Sequence, residues 1–295
     1  MSGFLVIDKP AGITSHDVVA QVRKIFQTKR VGHAGTLDPM ATGVLVLGIG
    51  GATRLLQYIT EGKKAYLANI YLGIATDTDD KEGNAIFTAP IENIQASQIQ
   101  LELGKFVGKI LQRPSSVSAI KIEGKPAHER VRAGEVVEIK PREVEVFDLQ
   151  IQSIEKIENH YEVRILVTCS SGTYIRAIAR DLGENLKCGG HLIELRRTLV
   201  APFDISQAKN LETVQTENLI DTATVLGKLF KTRSLSFDEV AELRFGRFID
   251  PCESDEITCA VDNQNQFVAL IQNKQVGPNK RATPILVASD SDVKE

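Results

Sequence analysis

Cysteine is scarce and scattered. The four residues, Cys169, Cys188, Cys252 and Cys259, stand 19, 64 and 7 positions apart, with no Cys-x-x-Cys pair, and the five histidines do not cluster with them. This pattern argues against a zinc site or a disulfide framework and points to a reducing cytoplasm. Long apolar runs are missing too. The longest nearly uncharged one, Gly43 to Ala52, falls far short of the roughly 20 residues of a membrane helix. The short apolar start of the chain meets Asp8 and Lys9 at once, with no basic segment before it and no small-residue cleavage site after it, so no signal peptide is expected. There is no internal repeat, no low-complexity tract beyond a frayed Ser289–Glu295, and no nucleotide-cofactor or metal motif.

An excess of positive charge is also lacking: 35 Lys and Arg face 38 Asp and Glu, a net charge of −3. Taken alone, that argues against a nucleic-acid partner. Local sums differ. Residues 1–64 hold eight Lys and Arg against four acids, and residues 105–142 hold nine against four, whereas residues 201–295 hold ten against fifteen. Phosphate affinity follows local potential rather than overall charge, so two basic regions can still form one RNA-binding face.

What is present fits a globular protein: 295 residues, 42% hydrophobic and 25% charged, enough for two domains. Phe4–Ile7 predicts a strand, broken by Lys9-Pro10-Ala11-Gly12. Ser15 is the expected N-cap of a helix with Val18, Val19, Val22, Ile25 and Phe26 on one face. Val44–Ile49, Tyr66–Leu72, Glu143–Ile151 and Tyr161–Cys169 read as strands, and residues 91–104 and the stretch after Gly172 as helices. Arg113 to Arg142 is basic and rich in Pro, Ser and Gly, without long ordered elements. Near 234 the composition changes. Ser236-Phe237-Asp238-Glu239 is a capping-box pattern, followed by short β-like runs at Ile257–Val261, Phe267–Gln272 and Pro284–Ala288. The expected fold is α/β (α+β), a mixed and largely antiparallel sheet over residues 1–233 with a small β-rich module at 234–295.

The densest oddity is Gly32-His33-Ala34-Gly35-Thr36-Leu37-Asp38-Pro39-Met40-Ala41-Thr42-Gly43. Pro39 pushes Asp38 into an extended conformation, and a carboxylate held rigidly on such a loop can act as a nucleophile. By pattern alone, a plain Asp-Pro turn explains it as well.

Together with Asp8-Lys9-Pro10-Ala11-Gly12-Ile13-Thr14-Ser15, this stretch resembles the TruB family of tRNA pseudouridine synthases. The resemblance continues in order through Lys64-Ala65-Tyr66, Leu72–Asp79, Pro114–Lys121, Cys169–Arg176 and Gly190–Arg197, spanning residues 3 to about 205. Five collinear matches are not chance. The family implies isomerisation of uridine to pseudouridine at position 55 in the T-loop of tRNA, by extrusion of the base and without cofactor or metal.

Residue by residue, the resemblance implies that Asp38 is the nucleophile and Arg176 its ion-pair partner. It makes Tyr66 the ring that stacks on the target base and a candidate for taking the carbon-5 proton, and puts Tyr174 beside Arg176 in the pocket. Leu195 would pack on the uracil, and His33 would approach the flipped nucleotides. Lys9 and Pro10 would buttress the site. Left to pattern alone, Arg176 reads as solvated, and Tyr66 and Tyr174 as half-buried strand aromatics. The basic segment 105–142, with Lys121 and Arg130, resembles an insertion that grips the T-arm stem-loop. His128 and Val117 depart there from the common family residues, which bears on RNA grip more than on chemistry. The module from 234 resembles small RNA-binding PUA-type domains only through Glu242–Arg247, and its acidic balance argues against strong RNA binding there.

A cytoplasmic monomer is expected. Two other readings compete. One is a non-catalytic tRNA-binding and folding chaperone on the same scaffold. The other is an Asp-dependent nucleoside or glycoside hydrolase, which usually needs a second carboxylate that the Asp38 loop lacks.

Overall fold

The computed structural model describes residues 1–115, 121–122, 125–126 and 139–288. The N-terminal half of the main sheet is laid down by β1 (Gly3–Lys9), β2 (Val31–Ala34), β3 (Thr42–Ile49) and β4 (Lys64–Leu72). A hairpin of β5 (Ile74–Thr76) and β6 (Ala85–Thr88) follows, then edge strand β7 (Gly108–Gln112) and the two-residue pair β8 (Lys121–Ile122) and β9 (Lys125–Pro126). The sheet is completed by β10 (Arg142–Ile157), β11 (His160–Cys169), β12 (Gly190–Val200), β13 (Phe203–Asp204) and β14 (Lys209–Asn210). Its order is β14-β1-β3-β12-β4-β11-β10-β7, with β2 and β13 on the flanks. Among the described residues of this sheet only β1·β14 and β3·β12 are parallel, so it is mixed and largely antiparallel as expected.

Helix α1 (Ser15–Ile25) forms because Thr14 caps it and Asp17 closes the capping box, while Arg23 and Lys24 meet the negative end of its dipole. The expected cap was Ser15. It is instead wholly buried, its Oγ accepting from Leu37 N at 2.9 Å and so tying the Asp38 loop to the helix. Val18, Val19 and Val22 pack on Leu5, Ile7, Leu45 and Leu47. Short α2 (Leu56–Thr60) precedes β4, α3 (Ala96–Gly104) precedes β7, and α4 (Ile175–Asn185) crosses the sheet beside β12.

After α5 (Thr222–Leu226), a second sheet forms from β15 (Lys231–Ser234), β16 (Thr258–Val261), β17 (Phe267–Val276) and β18 (Asn279–Val287). Helix α6 (Phe237–Arg244) is capped by Ser236 and Glu239 as the sequence predicts. The two sheets share one apolar core, in which Cys259, Val261, Phe267 and Leu270 pack with Phe4, Val44, Val46 and Leu55. Among the described residues, no helix is long and apolar enough to cross a membrane.

Candidate active site

Asp38 sits on the loop between β2 and β3. That loop is held from three directions. Lys9, wholly buried, donates from Nζ to the carbonyls of Pro10 (2.9 Å), Ile13 (2.7 Å) and Pro39 (3.2 Å). Ser15 holds Leu37. Arg197 donates to Gly35 O at 3.0 Å, to Thr36 O at 3.4 Å and to Val44 O at 2.7 Å. Gly43 closes the loop with φ +103, and a Cβ there would lie 2.1 Å from Arg197 O. Only glycine lets β3 approach β12 so closely.

A cavity of about 270 Å³ opens beside the loop, lined by Asp38, Tyr66, Tyr174, Arg176 and Leu195 among others. Five residues from four stretches of sequence thus meet in one place. Arg176 reaches Asp38 with two contacts, Nε to Oδ2 at 3.1 Å and Nη2 to Oδ1 at 3.2 Å. It also donates from Nη1 to Asp80 Oδ2 and to Thr78 O, both at 3.0 Å. One guanidinium, 5% exposed, therefore serves two carboxylates. Its default reading as a solvated side chain is overturned because α4 packs against β12 and its Arg176 face is buried.

Desolvation is the largest influence on Asp38 and pushes its carboxyl above the ordinary carboxylate range. Arg176 pulls it down, Asp80 pushes it up again, and Lys9 and Arg197 draw it down from farther away. Since 37% of the side chain still meets solvent, the acid remains open to a ligand. Burial also raises the phenol of Tyr66, with Arg197, its register partner across β4 and β12, acting the other way. Tyr174 is fixed through its backbone: its N–H donates to Gln112 Oε1 (2.8 Å) and its carbonyl accepts from Gln112 Nε2 (3.0 Å).

His33 stands on β2, half-buried, outside the lining of this cavity. Its ring meets that of His16 edge-on at 5.5 Å, its Nδ1 is buried without a partner among the described residues, and burial lowers its pKa. Pro10 contributes its carbonyl to Lys9. Lys121 falls in β8, paired to Pro126, while Val117, His128 and Arg130 lie outside the described residues. A larger cavity of about 790 Å³, beside the β5–β6 hairpin, has its buried carboxylate Asp79 already paired to Arg180 at 3.1 Å. The Asp38 cavity instead pairs an oriented, part-exposed acid with two tyrosines and a leucine.

Three site groups were not singled out from sequence: Asp80, Lys64 and Arg197. Asp80 lies within an acidic run that reads as a surface turn. Each of the other two is the second residue of a basic doublet; Arg196-Arg197 lies within β12, where alternation must point one member inward, and Lys64 opens β4.

An acid oriented by a guanidinium, beside two tyrosines and a leucine, suits covalent or electrostatic chemistry on a flat ring. Comparisons with known proteins give the family. The model of the TruB family pseudouridylate synthase N-terminal domain matches residues 23–175, and that of the tRNA pseudouridylate synthase B C-terminal domain matches 176–254. A tRNA pseudouridine synthase B of Corynebacterium aurimucosum is 45% identical over 292 residues, covering 98% of this chain and 97% of the relative. One from Nocardia farcinica is 43% identical over 289 residues, covering 97% and 93%. Among solved structures, an H/ACA RNP bound to a substrate RNA containing 2′-deoxyuridine matches with TM-score 0.71 at 22% identity, over 98% of this chain and 86% of that one. A Cbf5-Nop10-Gar1 complex matches with TM-score 0.68 at 22% identity, over 99% and 87%. These two likenesses speak to the fold. By sequence over nearly its whole length, the chain belongs to the TruB family of pseudouridylate synthases.

Proposed function

We propose that the protein isomerises uridine to pseudouridine at position 55 in the T-loop of tRNA, with Asp38 as the nucleophile. The observation that carries this reading is the Asp38 carboxylate, gripped at two points by Arg176 at a cavity lined by Tyr66, Tyr174 and Leu195. The paired guanidinium favours the ionised, attacking form and fixes its direction. A uridine inside a folded loop reaches such a cavity only when extruded, at a cost of a few kcal/mol that stacking and phosphate contacts offset.

In this reading Tyr66 stacks on the base and takes the proton from carbon 5, Leu195 packs on the uracil, and Tyr174 shapes the wall. His33 meets the flipped nucleotides. Lys9 and Pro10 keep the Asp38 loop in place, and Lys121 and Arg130 of segment 105–142 hold the T-arm. Residues 1–233 form the catalytic unit and 234–295 a PUA-like appendage. The protein works as a cytoplasmic monomer with tRNA as its partner and without a metal or cofactor. Sequence relatives named tRNA pseudouridine synthase B support the substrate class.

Incubation with a T-arm stem-loop RNA, followed by nucleoside analysis, tests the reading. Pseudouridine is expected. Free uracil would mean a hydrolase, and bound but unchanged RNA would mean a chaperone.

A further inference from the structure

Two buried cations in the Asp38 cavity have no part in the chemistry described so far. Lys64 is 5% exposed, and its Nζ donates to Thr60 O at 2.6 Å and Gly62 O at 3.0 Å. Arg197 is 1% exposed and donates to the carbonyls of Gly35, Thr36 and Val44, with the Tyr66 hydroxyl also in hydrogen-bond reach. Both line the cavity, and among the described residues neither makes an ion pair with a carboxylate. Burying such charges is unfavourable unless a negative group meets them. Their mutual repulsion adds to the cost: burial first, then the charge of Arg197, lowers the Lys64 ammonium to about 8. Asp38 acts on Arg197 only from a distance, since its direct ion-pair contacts are made by Arg176. The missing anion must come with the substrate.

Building on the pseudouridine synthase reading, the geometry points to Lys64 and Arg197 as the groups that stabilise the uracil anion when the N-glycosidic bond breaks. In that step the N1–C1′ bond cleaves and its electron pair stays on the uracil, spreading over N1, O2 and O4. The electron-poor C1′ is captured by the Asp38 carboxylate as an ester, and that C1′–O bond breaks again, returning its electron pair to Asp38, when carbon 5 bonds to C1′. The anion is consumed when carbon 5 bonds to C1′; carbon 5 then gives its proton to a base and N1 takes one from solvent. Ammonium and guanidinium groups fixed in the cavity wall favour this charge most at the transition state for cleavage, where it develops. Arg197 stands opposite Tyr66 across the paired strands, which places its charge at the wall assigned to the base.

The test compares two T-arm stem-loop RNAs in single turnover, one with uridine at the target and one with 5-fluorouridine. Fluorine at carbon 5 makes the departing base a better anion; it blocks the last proton loss but not glycosidic cleavage, which is read as loss of the labelled nucleotide from nuclease digests. Lys64→Met is expected to slow reaction of the uridine RNA by about 100- to 1,000-fold, with RNA affinity within a few-fold of wild type. The loss should shrink at least tenfold, on the order of one pK unit of anion stabilisation, with the fluorinated RNA. Lys64→Arg should recover most of the rate, and any remaining loss should again be smaller for 5-fluorouridine, so either variant alone decides the matter. Equal losses on both RNAs, or a loss carried wholly by weaker binding, would overturn the assignment. Wild-type protein that makes no pseudouridine would instead sink the function proposed above.

Discussion

Lys64 and Tyr66 lie two residues apart on one strand, and each carries its own prediction. Tyr66→Phe keeps the ring and removes the hydroxyl. If the hydroxyl takes the carbon-5 proton, turnover should fall by about 100- to 10,000-fold with RNA binding retained; a near-normal rate would move the base elsewhere. For Lys64, burial holds the folded pKa near 8, below the usual 10.5. The folded state therefore resists the proton, and stability should rise with pH between about 8 and 10.5. Below that window the buried charge costs a few kcal/mol at most. Lys64→Met should accordingly melt at or above the wild-type temperature at pH 7 while losing activity, as scanning calorimetry beside a rate assay would show. For Asp38 the sign is opposite. Its raised pKa means that kcat/KM should begin to fall with acid at a pH above the ordinary 3.8, and a half-maximal pH below that value would contradict it. The residues on the family's motifs were legible by resemblance, but their burial was not. Arg176 looks like one more polar position on an amphipathic helix, and its exposure depends on how α4 meets the sheet. Asp80 joins the site because the turn holding it docks on β12, with Leu192 N donating to Asp79 O at 3.0 Å.

Among the elements, β12 is the least readable and among the most consequential. Its residues Gly190–Val200 include Glu194, Arg196 and Arg197, and a register shift between Leu192 and Glu194 breaks the period-two pattern. Strands such as β4 and β11, which pair with each other in unbroken register, announce themselves; β12 does not. It also meets β3 in parallel at only two positions, Arg196↔Thr42 and Arg197↔Gly43. Gly43→Ala strikes that junction, since the new methyl would collide with Arg197 backbone at a φ that alanine rarely adopts. A loss of at least about 2 kcal/mol in denaturant unfolding is expected, together with loss of activity as the Asp38 loop shifts. Unchanged stability would mean that the junction yields freely. Helix α1 carries a smaller lesson. Thr14 and Ser15 compete for the cap, and the winner was set by the loop, which needs the Ser15 hydroxyl for Leu37.

For the whole molecule, the sequence change near residue 234 marks where the second sheet gathers, yet the core does not divide there. Phe4, Val46 and Leu55 share one apolar cluster with Val261, Phe267 and Leu270, a contact that composition along the chain cannot reveal. Removing residues 234–295 should therefore lower the melting temperature by several degrees, even though every chemical motif lies before residue 200; an unchanged melting curve would show that the sheets are independent. RNA affinity should fall steeply with salt despite the net charge of −3, because released counterions respond to local basic regions. Lys121→Glu with Arg130→Glu should flatten that slope, and an unaltered slope would remove segment 105–142 from the RNA face. The central claim is that Asp38 does the chemistry. Its most direct test is Asp38→Asn, assayed by tritium release from carbon 5 of labelled uridine in tRNA beside a filter-binding titration. Folded Asp38→Asn protein that binds tRNA as well as or better than wild type and releases no tritium is the expected result. Release above a trace rate would contradict it.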